Sequence, residues 1–230
     1  MLGLPAGVTT CLFDLDGVLT DTARVHRTAW ARTFDPELER RGQPAFTEND
    51  YNDFVDGKPR LDGVRDFFAS RGVTLSAEEV RTIGDRKNDL VLHLIDTQGV
   101  VVFPGSQRYL VAAASAGVHR VVVSSSANTR AVLEATGLDR YVEDRIDGVL
   151  AQQRNLAGKP APDTFLAGAA LVGARPAAAA VFEDATAGVQ AGRRGGFGHV
   201  VGVNRLDDAH AEALREHGAD VVVRDLAELL

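Results

Sequence analysis

The stretch Val8-Thr9-Thr10-Cys11-Leu12-Phe13-Asp14-Leu15-Asp16-Gly17-Val18-Leu19-Thr20 decides how this chain folds. Residues 8–13 form an apolar run that reads as a buried strand. Asp14 and Asp16, two residues apart at the strand's end, project from the same side of the backbone. Gly17 lets the chain turn sharply or approach a ligand closely. Two like charges held together are costly unless a cation or a proton separates them. The pair therefore fits a divalent-metal site and, with it, phosphate chemistry. Asp and Gly are also common turn formers, so the spacing alone fits an ordinary strand-to-turn junction equally well.

Beyond about Gly99 the pattern alternates short β-rich runs with helical stretches. Residues 119–124 read as a strand followed by a helix over 128–136 that ends at Gly137. Residues 179–182 are a second strand, followed by a helix over 185–194. Residues 199–203 and 220–223 repeat the theme. Runs apolar on both faces and separated by helices indicate a parallel sheet covered on both sides. The fold class is α/β, a doubly wound, Rossmann-like parallel-sheet core.

Between the first strand and Gly99 the texture is helical, over 22–34, 47–55, 61–70 and 76–95. Asp21 or Thr22 is placed to cap the first helix, and Ser76-Ala77-Glu78-Glu79 makes a capping box for the last. Residues 36–44 read as a charged connection. The expected organisation is a core of residues 1–20 and 97–230 with a helical cap domain, 21–96, inserted after the first strand. Ligands of open α/β sheets bind beyond the carboxyl ends of the strands, so such an insertion is expected to sit over that mouth as a lid.

Hydrophobic content of 45% in 230 residues suits an ordinary soluble globular protein. A formal charge of −7, without a long basic block, argues against a nucleic-acid partner. Cys11 is the only cysteine, so no internal disulfide forms. Residues 1–10 lack the pattern of a secretory leader, and no segment reaches the roughly 18 apolar residues of a spanning helix. The expectation is a cytoplasmic monomer that engages neither membrane nor nucleic acid.

Three further features fall at strand ends or helix starts. Ser124-Ser125-Ser126-Ala127-Asn128 offers hydroxyls and amides suited to phosphoryl oxygens, or simply an N-cap serine. Lys159, in Gly158-Lys159-Pro160, supplies a compact cation, or a solvated surface charge. Glu183-Asp184, after the strand over 179–182, suits a hard cation such as magnesium, or a helix start favoured by the dipole.

In chain order the features are Asp-x-Asp, Ser-Ser-Ser, Lys-Pro and Glu-Asp. With these four the chain resembles the haloacid dehalogenase-like phosphotransferases over essentially its full length. The resemblance implies that Asp14 attacks phosphorus and that Asp16 is general acid and base. It implies phosphate binding by Ser124 and Lys159, and a Mg2+ site built from Asp14, Asp16, Glu183 and Asp184. The opening Asp14-Leu15-Asp16-Gly17-Val18-Leu19-Thr20-Asp21-Thr22-Ala23-Arg24-Val25-His26-Arg27-Thr28-Ala29-Trp30 is similar to the β-phosphoglucomutase family. Thr22, His26 and Trp30 share one helical face by their spacing.

That likeness implies a small phosphosugar substrate and an aspartyl-phosphate enzyme. It also implies a bisphosphate intermediate between β-glucose 1-phosphate and glucose 6-phosphate. Arg60, Ser126 and Asn128 then bind the distal phosphate, and Lys87 contacts the sugar. Asp56 and Ala127 stand where the family carries lysines, which takes two cations from the distal phosphate; Lys58 is a partial replacement. Open beside the mutase are a sugar-phosphate phosphatase of the same superfamily and a non-catalytic phosphosugar-binding protein.

Overall fold

The computed structural model describes residues 2–56 and 58–230. Met1, in the leader reading, and Gly57, just before Lys58, lie outside the described residues. Along the chain, β1 (Thr10–Phe13) is followed by helices α1 (Ala23–Glu39), α2 (Glu48–Asp50), α3 (Arg60–Ser70) and α4 (Ala77–Gln98). Next come α5 (Pro104–Ser115), β2 (His119–Val123), α6 (Thr129–Thr136), β3 (Asp144–Ile146), α7 (Gly148–Gln153) and α8 (Asp163–Leu171). β4 (Ala179–Glu183), α9 (Thr186–Arg194), β5 (His199–Val203), α10 (Asp208–Glu216) and β6 (Val221–Val223) follow. The chain divides into two compact units, one running to Asp21 and resuming over Val101–Leu230, the other Thr22–Val100.

In the first unit the strands form one parallel sheet in the order β3-β2-β1-β4-β5-β6. The order turns back between β1 and β4, the place where open α/β sheets bind ligands. Register follows the side-chain period of two. Leu12 aligns with Val121 and Val181, and all three enter one face of the core with Ile146, Phe165 and Phe197. Phe13 and Phe182 point to the other face, where their rings stack at 4.6 Å with Tyr109 edge-on to Phe13. Cys11 is an apolar filler, because burial pushes its thiol up to about 12. The sequence does not single out β3, α5, α7, α8 or α10. Glu183 belongs to β4 rather than following it.

The excursion to the second unit begins and ends on paired chain. The Asp21 amide donates to the Val101 carbonyl at 2.8 Å, and the Phe103 amide to the Leu19 carbonyl at 3.0 Å. Thr20 and Val102 form an antiparallel bridge between them.

The second unit holds no strand among its described residues. Its core joins Trp30, Phe34 and Leu38 of α1 to Val64, Phe67 and Phe68 of α3 and to Val80 and Ile83 of α4. Phe34 stacks on Phe67 at 4.4 Å with 11° between planes. The Ser76–Glu79 capping box is formed in both directions. Thr22 occupies the N-cap of α1, yet its side chain makes no capping bond. The stretch over 47–55 splits into α2 and a wider turn at Tyr51–Val55.

The expected connection over 36–44 starts later than its proline suggests, because α1 runs through Pro36 to Glu39. Pro36 forfeits one amide bond. Tertiary contacts hold that last turn: Leu38 is fully buried, and buried Glu37 takes Arg41 at 2.8 Å, Arg86 at 3.1 Å and also Arg40. Burial alone would raise the Glu37 carboxyl, but hydrogen bonds from Arg41, Arg40 and Arg86 outweigh it and hold it below its usual range.

No helix among the described residues is long and apolar enough to cross a membrane.

Candidate active site

Strand register builds the centre of the site. Phe13 pairs with Phe182, so the next residues, Asp14 and Glu183, emerge side by side at the carboxyl ends of β1 and β4. The Asp14 amide extends the ladder by donating to the Phe182 carbonyl at 2.9 Å. Lys159 enters between the two acids. Its Nζ lies 2.5 Å from Asp14 Oδ1 and 2.5 Å from Glu183 Oε1, and donates to the Val123 carbonyl at 3.2 Å. The ammonium also lies 4.9 Å from the centroid of the Phe165 ring. The peptide bond after Lys159, to Pro160, is cis.

Asp14, Lys159 and Glu183 are all buried. Burial lifts the Asp14 carboxyl well above its ordinary range; Lys159 opposes this, while Glu183 and Asp16 add to it. For Lys159 burial works against the charge, but Asp14 and Glu183 prevail and raise its pKa above the ordinary lysine value. The ammonium is therefore charged at neutral pH.

Asp184 joins this centre. Asp14, Glu183 and Asp184 bring one carboxylate oxygen each within 4.8 Å of one another. The Asp16 carboxylate, the fourth of the expected set, is not part of that cluster. Asp16 lies in a turn closed on Thr20, where the Gly17 amide donates to the Thr20 carbonyl at 2.8 Å. Its charge still reaches Asp14.

Two glycines let the acids approach so closely. A Cβ at Gly17 would stand 1.7 Å from Asp184 Oδ2, and Gly17 also has φ +79°. A Cβ at Gly188 would stand 1.8 Å from Glu183 Oε1. At either position a side chain would force the neighbouring carboxylate to move, and at Gly17 the positive φ adds strain. Gly188 has no signal in the sequence beyond following the acid pair, because its neighbour is defined only once α9 packs behind β4.

The cluster's chemistry suits a hard divalent cation. Its donors are all carboxylate oxygens, the preference of magnesium. Two of the three carboxylates share the single Lys159 ammonium and the third adjoins them, so a bound cation, or a proton on one of the acids, would relieve their repulsion.

Ser124, buried, follows β2, and its amide donates to the Ile146 carbonyl at 2.9 Å. Its hydroxyl accepts from the Ser126 amide at 3.1 Å, and the Ser126 hydroxyl accepts from the Asn128 amide at 3.1 Å. The three predicted phosphate ligands of this loop thus form one ladder leading into α6. The Gly148 amide fixes it from β3's side by donating to the Ser126 carbonyl at 3.0 Å. The sequence does not mark that contact, because β3 is too short and polar to be legible.

The candidates of the helical unit form their own set. Lys87 of α4 is buried and lies 2.7 Å from His26 Nδ1, with its ammonium 4.7 Å from the centroid of the Trp30 ring. Thr22 and Trp30 are buried as well. Arg60 pairs with Asp85 at 3.3 Å. Lys58, the expected replacement for missing lysines, is paired with Asp66 at 2.7 Å.

Comparison with known proteins places the chain in a family. Residues 8–196 match the haloacid dehalogenase-like hydrolase family. The chain is 54% identical to a β-phosphoglucomutase of Mycobacterium bovis, over 100% of this chain and 94% of that one. Hexitol phosphatase A of Escherichia coli is 29% identical over 95% of this chain and 91% of its own. The crystal structure of a β-phosphoglucomutase from Clostridium difficile matches with a TM-score of 0.81 and 25% identity, covering 97% of this chain and 93% of that one. The chain belongs to the haloacid dehalogenase-like family and, within it, to the β-phosphoglucomutase-like proteins.

Proposed function

We propose that the protein is a Mg2+-dependent β-phosphoglucomutase that interconverts β-glucose 1-phosphate and glucose 6-phosphate. The observation that carries this reading is the buried centre of Asp14, Lys159 and Glu183 beside Asp184. Full-length identity of 54% to a protein named β-phosphoglucomutase supports the choice of substrate.

Phosphoryl transfer needs positioning and charge neutralisation more than covalent versatility. An Asp14 oxygen attacks phosphorus, and an aspartyl phosphate forms as the bond to the sugar oxygen breaks. Asp16 gives that departing oxygen its proton. In the reverse sense Asp16 takes the proton of the attacking sugar hydroxyl, and the phosphoryl group passes from Asp14 to the sugar. Two such transfers, with a turnover of β-glucose 1,6-bisphosphate between them, move the phosphate from C1 to C6. Lys159 offsets charge on the phosphoryl oxygens, and Ser124 with the loop to Asn128 orients them. Asp14, Glu183 and Asp184 would hold Mg2+, which when bound neutralises phosphoryl charge. The helical unit, with His26, Arg60 and Lys87, acts in this reading as the cap that recognises the sugar.

Phosphorus NMR tests the reading. Supplied with Mg2+, β-glucose 1-phosphate and a trace of glucose 1,6-bisphosphate, the protein is expected to yield glucose 6-phosphate. Accumulation of inorganic phosphate instead would establish a phosphatase, and no turnover would leave a phosphosugar binder.

A further inference from the structure

The connection from β5 to α10 carries side chains that the chemistry above does not use. Arg205 Nε donates to the Gly17 carbonyl at 2.7 Å, and Nη2 to the Val18 carbonyl at 3.3 Å. Its Nη1 donates to the Arg224 carbonyl at 2.8 Å, and its guanidinium carbon lies 3.6 Å from the Phe103 ring centroid. The Ser106 hydroxyl reaches the same Val18 carbonyl at 2.6 Å. Five residues on from Arg205, His210 hydrogen-bonds the main chain of Asp184, and its Nδ1 lies 3.1 Å from buried Asn204.

One short segment therefore grips both acid-bearing turns, the one at Gly17–Val18 and the one at Asp184. Those turns need holding. They meet where Gly17 leaves no room for a Cβ beside Asp184, and the carboxylates they carry repel one another. A guanidinium suits this task because its rigid planar fork spreads donors on three nitrogens over three separate carbonyls, whereas the three N–H groups of a lysine share one atom.

We infer that Arg205, supported by His210, is a positioning residue that brackets the two turns and fixes Asp14, Asp16 and Asp184 relative to one another. The inference rests on the phosphotransferase reading. Arg205 reaches the chemistry through main-chain groups of the turns and through its charge near Asp184, so its loss is expected in kcat and in affinity for the metal, with substrate KM unchanged. Supports behind metal ligands are typically worth about 10–100-fold.

The test uses the full-length protein with Arg205→Met and Arg205→Lys. Expected for Arg205→Met are a kcat reduced about 10–100-fold, a KM within about twofold of the parent, and Mg2+ affinity by calorimetry weakened about tenfold. Arg205→Lys is expected to recover only part of the loss. A rise in KM at constant kcat would overturn the inference, as would unchanged kcat and Mg2+ affinity in folded protein. If Arg205→Met does not fold, Ser106→Ala and His210→Ala carry the same test, with a smaller kcat-only loss expected and unchanged kcat in both overturning the idea. If the parent converts no phosphosugar, the substrate reading fails on its own. Arg205 is then judged by Mg2+ affinity and by p-nitrophenyl phosphate hydrolysis, with Asp14→Asn as the silent control.

Discussion

The two units bury charge in opposite ways. In the α/β unit one ammonium, Lys159, faces the carboxylates of Asp14 and Glu183, with Asp184 adjoining. In the helical unit the sign of the surplus is reversed. Glu37 is surrounded by Arg40, Arg41 and Arg86, and buried Asp50 pairs with Arg71 at 2.7 Å. Burying charge costs energy unless partners match it. Matched carboxylates join helices, whereas an unmatched group is a reason to expect a ligand that brings the missing charge.

The largest break in that comparison comes from the unmatched side. Asp16→Asn is expected to lower phosphoryl transfer by about 10²–10⁴-fold, the usual worth of general acid–base catalysis. Its urea midpoint should match the parent's, and a large stability loss would reassign Asp16 to structure.

Next in size is Phe34→Ala in the helical unit, where Phe34 packs against Trp30, Phe46, Phe67 and Phe68. The expected cost is about 3–5 kcal/mol in urea unfolding, as for other buried aromatics. A cost below about 1 kcal/mol would mean that this core repacks freely.

Glu37→Gln sharpens the contrast at similar shape. Removing one hydrogen-bonded charge amid three guanidinium groups is expected to cost about 1–3 kcal/mol. The same carboxylate gives a pH signature. The Glu37 and Asp50 carboxyls are held below their usual ranges, for although burial raises each, arginines and, at Asp50, Thr47 prevail. Their stabilisation is complete above the unfolded carboxylate values, near 4, and is lost as pH falls through the lower folded values. Unfolding midpoints should therefore drop as pH falls below about 4, and more gently in Glu37→Gln than in the parent. Parallel profiles would show that other groups govern the acid limb.

The smallest effect belongs to an exposed pair. Arg130→Ala removes a contact to Glu134 at 2.7 Å within α6. Surface pairs of this kind contribute little, and no shift in thermal midpoint is expected by calorimetry.

What the sequence discloses follows from how local each feature is. β1 and β4 are legible because both are apolar on every side, and the acids at their ends mark the mouth of the sheet. β3 is not, since Asp144-Arg145-Ile146 is short and polar and becomes a strand only by pairing with β2. Pro36 reads as a breaker, and only the arginines around Glu37 and the burial of Leu38 show why α1 continues. The acids, Lys159 and the serine loop carry recognisable chemistry in their own residues. Gly188 and Arg205 do not, because their parts depend on neighbours brought close by folding alone.

The paired strands where the chain departs at Asp21 and returns at Val101 have a consequence for how such proteins diversify. The two ends of the excursion are already joined by hydrogen bonds, so its length and content can change at little entropic cost to the sheet. The helical unit is in effect an exchangeable cassette. It can change by insertion, deletion or wholesale replacement, while the register that sets Asp14 beside Glu183 stays as it is.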